Sequence, residues 1–223
     1  MNVTATQSLA TVPIKGSSRG CAVCLISGGI DSPVALSLTI KAGITPVAVY
    51  FDSYPLSDRR AREIVLEGIR KVREQTGTPP IRTYVIRHSA DASEIVSSCQ
   101  RNLACLISRR LMFKIASEIA HRESGDAIVS GDVVGQKASQ TLHNLFGTDS
   151  ATGGLPVIRP LVGMNKDEIE QLARAIGTFE TSIKPGVAAC GIPTHKPRTH
   201  SRLDEIAESE SRLDLNHMIQ RAL

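Results

Sequence analysis

The feature that most constrains the fold is a short glycine-containing segment, S-G-G-I-D-S at residues 27–32. An apolar run at residues 22–26 precedes it, and an apolar-periodic segment that begins with proline follows at residues 33–42. This order predicts a strand, a tight turn and a helix, because glycine permits unusual turn angles and proline suits a first helical turn. Backbone N–H groups in such a turn, together with the positive end of the helix dipole, favour a bound anion. The segment therefore predicts a phosphate site.

This predicted site differs from the two common nucleotide-binding loops. The sequence contains neither the P-loop spacing with its lysine nor the G-x-G-x-x-G pattern. Ser27 and Ser32 add hydroxyl groups, and Asp31 lies within the predicted cradle. Because a carboxylate repels a bare phosphate, Asp31 indicates a bound Mg²⁺ or a hydrogen-bonding role. The alternative is an ordinary Ser/Gly turn between a strand and a helix.

The composition is ordinary for a soluble globular protein and excludes several other classes. The 223 residues are 41% hydrophobic and 22% charged, which is enough for one large domain. No apolar run approaches the roughly 20 residues that a membrane span needs, and a net charge of +4 is compatible with a polyanionic partner without requiring one. Five cysteines, an odd number, do not resemble a disulfide framework. We expect a cytoplasmic protein without a membrane partner.

Strand-like and helix-like segments alternate along the chain. The predicted strands cover residues 21–26, 45–51, 81–87, 126–130 and 155–160. The predicted helices cover residues 33–42, 57–76, 91–122 with a break at 101–104, 133–144 as a short helix or ordered loop, 165–176 and 201–222. The alternation predicts an α/β fold, with an open, mostly parallel five-stranded sheet and helices on both faces. Ligands of such sheets bind beyond the carboxyl ends of the strands, where Ser27, Phe51 and Gly131 lie.

The predicted organisation has three parts. Residues 1–20 are expected to be a flexible N-terminal arm, residues 21–190 a nucleotide-binding catalytic domain, and residues 191–223 a tail with a helix. The role of the tail is open, since either an interface helix, as in a homodimer, or a frayed end is compatible with it.

The segment at residues 27–32 resembles the S-G-G-x-D-S signature of the PP-loop ATP pyrophosphatases at every fixed position. In that family the loop holds the pyrophosphate leaving group while AMP is transferred to a substrate. The resemblance implies an adenine nucleotide alpha hydrolase-like fold and the use of ATP and Mg²⁺.

Further segments are similar to the sulfurtransferase branch of this family, which forms 4-thiouridine in tRNA and is also linked to thiamine thiazole synthesis. They are F-D-S-Y-P at residues 51–55, S-R-R-L-M at 108–112, S-G-D-V-V-G-Q-K-A-S-Q-T-L at 130–142, R-P-L at 159–161 and C-G at 190–191. The third segment has Asp132 where the family has glutamate. The similarity extends over most of the chain, from Cys21 to Pro197.

The resemblance also implies which residues form the site. The implied ATP-binding residues are Leu25, Ile26, Ser27, Gly28, Gly29, Asp31, Ser32, Tyr50, Phe51, Arg109, Gly131 and Gln140. Leu25, Ile26, Tyr50 and Phe51 would surround the adenine, and the residues of the 27–32 turn would hold the phosphates. Asp31 would lie beside Mg²⁺ and pyrophosphate, and Cys190 would face the adenylated base.

The chemistry of thiolation is consistent with these residue types. A uridine carbonyl oxygen leaves poorly, so adenylation must first convert it into a phosphate-ester leaving group that a persulfide or sulfide displaces. Such a site needs a phosphate cradle, Mg²⁺, a cation and an accessible thiol. Arg109 or Arg110 could supply the cation, and Cys190, in a Gly/Ala/Pro loop, the thiol. Cys105 is either a resolving thiol that pairs with Cys190 or a buried small residue at a helix start.

The sequence leaves open which molecule accepts the sulfur and whether the protein is a sulfurtransferase. Only about 20 residues precede the first predicted strand and the tail ends at residue 223. We therefore expect neither the RNA-binding portion of the family nor a rhodanese domain. The acceptor is therefore tRNA, presented with or without a partner, or a small molecule as in thiazole synthesis. The sulfur donor is a protein or sulfide. A non-catalytic ATP- or AMP-binding module is the alternative from another class, and amide synthesis from ammonia is a weaker one.

Overall fold

A computed structural model describes residues 19–185, 192 and 196–223. The strands are β1 (Cys21–Ile26), β2 (Thr45–Asp52), β3 (Arg82–Arg87), β4 (Ala127–Val129) and β5 (Val157–Ile158). The helices are α1 (Asp31–Lys41), α2 (Ala61–Thr76), α3 (Ser89–Ser98), α4 (Ala104–Arg122), α5 (Leu142–Asp149), α6 (Lys166–Ala175), α7 (Phe179–Ser182), α8 (Leu203–Glu210) and α9 (Leu215–Ala222). A 3₁₀ turn, Ala138–Gln140, precedes α5.

The five strands form one parallel sheet in the order β3-β2-β1-β4-β5. This confirms the predicted open α/β sheet, and β3 lies at an edge as its alternating pattern indicated. The strand order reverses direction at β1, since β2 lies on one side of it and β4 on the other. In open α/β sheets the crevice at such a point is where ligands bind.

Two hydrophobic layers cover the two faces of the sheet. One contains buried side chains of α3, α4, α8 and α9, and the other contains side chains of α1, α2 and α6. Residues of β1 alternate between them, as the period of a strand requires. Cys21 packs against the first layer and Cys24 lies in the second, so the two thiols face opposite sides, as predicted. Burial raises the pKa of Cys24 to about 12, which keeps this thiol protonated.

Several element bounds differ from the predicted ones. Helix α2 begins at Ala61 rather than at residue 57, because Asp58 accepts hydrogen bonds from the backbone and side chain of Arg60 in a turn. The helix predicted over residues 201–222 is two helices, since Asp214 caps the backbone N–H of His217 and starts α9 anew. The predicted break before α4 and the capping box of Asn165 and Glu168 before α6 are both present.

Two sequence predictions lie outside the described residues. Most of the predicted N-terminal arm is not covered, and neither is Cys190 with the predicted domain boundary beside it. Within the described part of the chain, no helix combines the length and the apolar character needed to cross a membrane.

Candidate active site

An open cavity of about 250 Å³ lies beyond the carboxyl ends of β1, β2 and β4. All twelve residues that the resemblance implied for ATP line this cavity. Seven further residues complete the lining: Ser53, Ser57, Met112, Phe113, Ser130, Asp132 and Lys137. The sheet topology therefore brings together residues that are up to 115 positions apart, from Leu25 to Gln140.

Hydrogen bonds within the glycine turn close it into a compact loop. The backbone N–H of Ser27 donates to Ser32 Oγ at 2.8 Å, and that hydroxyl lies 3.1 Å from the carbonyl oxygen of Ser27, to which it donates. Helix α1 begins directly afterwards, at Asp31, and Ile30 at its N-cap position supplies no side-chain cap. The first N–H groups of a helix lack intrahelical partners, so this helix start is suited to an anion.

Gly131, which follows β4 and Ser130, packs directly against the start of α1. A Cβ atom at Gly131 would lie 2.9 Å from the backbone nitrogen of Ser32 and 3.0 Å from the carbonyl carbon of Asp31. Real Cβ atoms essentially never come closer than 3.0 Å to such a backbone atom, so this close approach of two backbones requires glycine.

The carboxylate of Asp132 is the centre of a buried polar cluster beside the cavity. It accepts hydrogen bonds from Ser130 Oγ at 2.7 Å and Gln140 Nε2 at 3.1 Å, and it pairs with Arg109 and, at 3.3 Å, with Arg159 Nε. Burial raises the pKa of this carboxyl, but the arginines and the two hydrogen bonds lower it more, so it lies below its usual value. Asp132 is therefore ionised and holds four different segments together.

The two adjacent arginines of α4 have different surroundings. Arg109 lines the cavity, pairs with Asp132 and places its guanidinium carbon 5.4 Å from the centre of the Phe113 ring. Arg110 is buried; it donates to Glu210 of α8 at 2.9 and 3.0 Å and to the carbonyl oxygen of Gly147. Of the two arginines considered from sequence, only Arg109 reaches the cavity.

Asp31 lies half-buried in the cavity wall at the start of α1. Burial raises the pKa of its carboxyl, nearby Lys137 lowers it, and the negative charge of Asp132 raises it, with a net upward shift. Sequence reasoning assigned no role to Lys137, although it belongs to the segment at residues 130–142. Nothing in the sequence distinguished this lysine from the other residues of that segment, so its position in the cavity could not be predicted.

The polar groups of the cavity are compatible with Mg²⁺ that arrives with a nucleotide. Four donors already contact Asp132, whereas Asp31 offers a carboxylate to the cavity. Proteins often hold Mg²⁺ through one or two carboxylates plus substrate phosphates. In the described part of the chain, no three or more His, Cys, Asp or Glu side chains form a metal-binding group, so the phosphates would have to supply most ligands.

The cysteines implicated by sequence are only partly described. Cys105, on α4 one turn before Arg109, is half-buried and lines a smaller neighbouring cavity with Lys137 and Arg198. Lys137 lines both cavities, so they are adjacent. Cys190 lies outside the described residues, and its role and its pairing with Cys105 therefore remain predictions.

The fold and the cavity agree with comparisons to known proteins. A family model described as thiamine biosynthesis protein (ThiI) matches residues 17–215. The chain therefore belongs to the ThiI family, a branch of the PP-loop proteins.

Curated relatives and one solved structure are similar to this chain over most of its length. A probable tRNA sulfurtransferase of Caldanaerobacter subterraneus subsp. tengcongensis is 41% identical over 204 residues, which cover 91% of this chain and 53% of that protein. One of Acetivibrio thermocellus is 41% identical over 92% of this chain and 52% of the relative. A solved 4-thiouridine synthetase–RNA complex with bound ATP aligns with a TM-score of 0.85 and 37% identity, covering 91% of this chain and 53% of that one. The chain thus spans about half the length of these relatives.

The contact between Gly131 and the start of α1 predicts a specific effect of an added methyl group. In Gly131→Ala, the backbone of Asp31 and Ser32 must move by some tenths of an ångström, and we expect roughly tenfold weaker binding of inorganic pyrophosphate with Mg²⁺. Calorimetry measures this affinity. Gly163→Ala is the matched control, because a Cβ there would meet no described atom within 4 Å. Equal affinities of both variants and the wild type would contradict the proposed closeness of phosphate and turn.

The lowered pKa of Asp132 predicts a contribution to stability that depends on pH. The carboxylate stabilises the fold above its unfolded pKa of about 3.9, and this contribution is lost as pH falls through the lower folded pKa. Asp132→Asn should therefore unfold at lower temperature at pH 7, where Arg109 and Arg159 lose their ionised partner. Its melting temperature should also fall less than that of the wild type between pH 4 and pH 2.

Thermal unfolding across this pH range checks the prediction, and Asp58→Asn serves as the control. The hydrogen bond from Arg60 lowers the pKa of Asp58 to about 2, but this pair is exposed to solvent, where ion pairs add little stability. If the melting temperatures of Asp132→Asn followed those of the wild type at every pH, the central place of this carboxylate would be wrong.

Proposed function

We propose that this chain is the ATP-using part of a tRNA sulfurtransferase, which adenylates a uridine carbonyl of tRNA and then replaces the oxygen with sulfur. The observation that carries the proposal is the single cavity that contains all twelve implied nucleotide-binding residues. The names of the relatives, and the ATP and RNA of the solved 4-thiouridine synthetase complex, support the same activity.

In the proposed first step, the uridine carbonyl oxygen attacks the α-phosphorus of ATP. The bond to the β-phosphate oxygen breaks, pyrophosphate leaves, and the base loses its ring N–H proton as it becomes O-adenylated. The glycine turn at residues 27–32 and the start of α1 hold the departing pyrophosphate through backbone N–H groups. Arg109, at the cavity wall, offers a cation for the charge that develops on the phosphates.

Asp31 and Lys137 complete the proposed phosphate end of the site. Asp31 would hold Mg²⁺, which supplies charge neutralisation to the phosphates. Lys137 lies near enough to Asp31 to lower the pKa of its carboxyl, and its ammonium group is suited to a phosphate oxygen. Phe51 and Tyr50, with the backbone of Leu25 and Ile26, would surround the adenine at the other end of the cavity.

In the proposed second step, a sulfur nucleophile attacks the adenylated carbon and AMP leaves. Cys190 is the proposed thiol that takes the outer sulfur of a donor protein's persulfide and carries it as its own persulfide. After this sulfur has bonded to the carbon and displaced AMP, the proposed second thiol, Cys105, attacks the sulfur of Cys190, which releases the thiolated base and leaves a Cys105–Cys190 disulfide for an external thiol to reduce. The smaller cavity lined by Cys105 adjoins the candidate nucleotide cavity at Lys137. A sulfur carried by Cys105 or its partner would therefore be close to the nucleotide cavity, where the adenylated base would lie. The sulfur comes from the persulfide of a donor protein, or from sulfide, which attacks the carbon directly without a persulfide on Cys190. The reaction takes place in the cytoplasm.

The proposal predicts that adenylation and sulfur transfer can be separated by substitution. Pyrophosphate release from ATP and Mg²⁺ should rise on addition of unmodified tRNA. Asp31→Ala should reduce this release about a hundredfold, the scale for losing one group that stabilises transition-state charge. Cys190→Ser should keep the release but form no thiouridine when the persulfide of a donor protein supplies the sulfur, measured by nucleoside analysis of the tRNA.

Asp167→Ala is the matched control for Asp31→Ala, because Asp167 is likewise in the first turn of a helix but is exposed on α6. It should release pyrophosphate at the wild-type rate. Full thiolation by Cys190→Ser would refute the assignment of the sulfur-bearing residue. ATP binding without tRNA-stimulated release would instead favour a small-molecule acceptor or a nucleotide-binding module.

A further inference from the structure

A series of polar side chains in contact leads from the C-terminal helix to the adenine end of the candidate site. We propose that Arg221 of α9 is a positioning residue for nucleotide binding, which acts through Asp91 and His88 on Phe51. The inference rests on the proposed function, because it takes the cavity beside Phe51 to be the adenine site.

This series of polar side chains begins at Arg221. The Arg221 side chain is 39% exposed and pairs with Asp91 in the first turn of α3. Asp91 Oδ2 lies 3.4 Å from Nδ1 of His88, the residue that links β3 to α3. Nε2 of the same ring lies 2.8 Å from Ser108 Oγ of α4. Asp91, His88 and Ser108 are all at most 2% exposed. Three buried polar side chains are thus connected to one partly exposed cation.

The chemistry of these groups favours one tautomer of the His88 ring. Nδ1 makes no hydrogen bond, but it lies 3.4 Å from the carboxylate of Asp91, which has no hydrogen to donate, so the tautomer with the proton on Nδ1 suits this contact. Nε2 is then an acceptor, and the Ser108 hydroxyl donates to it. This polarity is that of a Ser-His-Asp nucleophilic triad. However, Ser108 is 1% exposed and does not line the cavity, so the arrangement orients the ring rather than attacking a substrate.

His88 contacts the wall of the candidate site directly. Its ring meets the Phe51 ring edge-on, with the centroids 5.5 Å apart and the planes at 74°. Its backbone N–H donates to the carbonyl oxygen of Asp52 at 2.8 Å, which holds it beside the end of β2. Ser108 is adjacent to Arg109, which lines the same cavity. The orientation of the His88 ring therefore affects both walls between which a nucleotide would lie.

The pairing with Arg221 is what makes the buried carboxylate tolerable. A buried ionised group is costly unless it is paired and hydrogen-bonded. Without the guanidinium, the carboxylate of Asp91 loses its ion pair and turns toward water. This movement removes the charge that faces Nδ1 of His88 and frees the ring that packs on Phe51. Removal of a surface arginine should thus weaken adenine binding at a distance.

The test compares the two ends of the nucleotide in the full 223-residue chain. Calorimetry gives dissociation constants for AMP and for inorganic pyrophosphate with Mg²⁺, in the wild type, Arg221→Ala and Arg221→Lys. In Arg221→Ala the affinity for AMP should fall roughly tenfold, the scale of coupling through a packed network, while that for pyrophosphate changes less than about twofold. Arg221→Lys, which keeps the charge, should bind AMP with intermediate affinity.

Arg212→Ala is the control, because Arg212 lies in the turn between α8 and α9 and pairs only with exposed Glu208 among the described residues. It should bind both ligands as the wild type does. Unchanged AMP affinity in Arg221→Ala would overturn the inference, and so would an equal loss for AMP and pyrophosphate, which indicates general destabilisation. A wild type that binds neither ATP nor AMP would overturn the nucleotide site itself and this inference with it.

A spectroscopic measurement follows the link without any nucleotide. Nitrogen NMR of the histidine rings should show His88 as the Nδ1–H tautomer in the wild type, with the signal identified by its loss in His88→Asn. Arg221→Ala should shift this signal, whereas Arg212→Ala should leave it unchanged. The Nε2–H tautomer in the wild type, or an unshifted signal in Arg221→Ala, would contradict the proposed link.

Discussion

The buried carboxylate of Asp132 is the interaction on which the candidate site most depends. It is 2% exposed, yet it carries a charge that two arginines, a hydroxyl and an amide compensate. These partners come from α4, the end of β4, the 3₁₀ turn and the segment after β5. A buried charge that loses one partner is strongly destabilised, so these four segments can hardly move independently. The wall of the cavity is thereby fixed before any ligand arrives.

A neighbouring part of the cavity wall depends on a steric constraint rather than on charge. The glycine turn after β1 and the residue after β4 come so close that Gly131 leaves no room for a side chain. The parallel pairing of β1 and β4 brings these two strand ends together. Asp31 starts α1 at this contact, one residue before the hydroxyl of Ser32 that closes the turn. The charge cluster around Asp132 and the close packing at Gly131 thus shape the part of the cavity where we propose that phosphates bind.

Much of this arrangement could be predicted from the sequence. The apolar runs and glycine stops predicted five parallel strands and an edge position for β3, because burial and strand period are local properties of the chain. The twelve implied nucleotide residues came from motifs, and topology alone explains why they meet. The cluster around Asp132 was not predicted, since its partners Arg109 and Arg159 lie 23 and 27 positions away. The series of contacts from Arg221 to His88 was not predicted either, because its first pair, Arg221 and Asp91, is 130 positions apart in the sequence. Such pairs depend on tertiary packing and leave no periodic pattern.

The misplaced boundaries have similar causes. Hydrophobic spacing alone continued α2 back to residue 57 and joined α8 to α9. In the structure, Asp58 accepts a hydrogen bond from the backbone of Arg60 in a turn before α2, and Asp214 caps the start of α9. Polar side chains that bond to nearby backbone compete with helix formation. The two C-terminal helices then pack on α4 and place Arg110 and Arg221 in ion pairs with the rest of the domain. The tail is therefore part of the core that supports the candidate site.

The most direct test of this account is the position of ATP in a crystal structure of the chain with a non-hydrolysable ATP analogue and Mg²⁺. The account predicts the phosphates against the backbone N–H groups of residues 27–32, the metal beside Asp31, and the adenine next to Phe51. A nucleotide bound elsewhere, or bound with its phosphates away from the turn at residues 27–32, would contradict it.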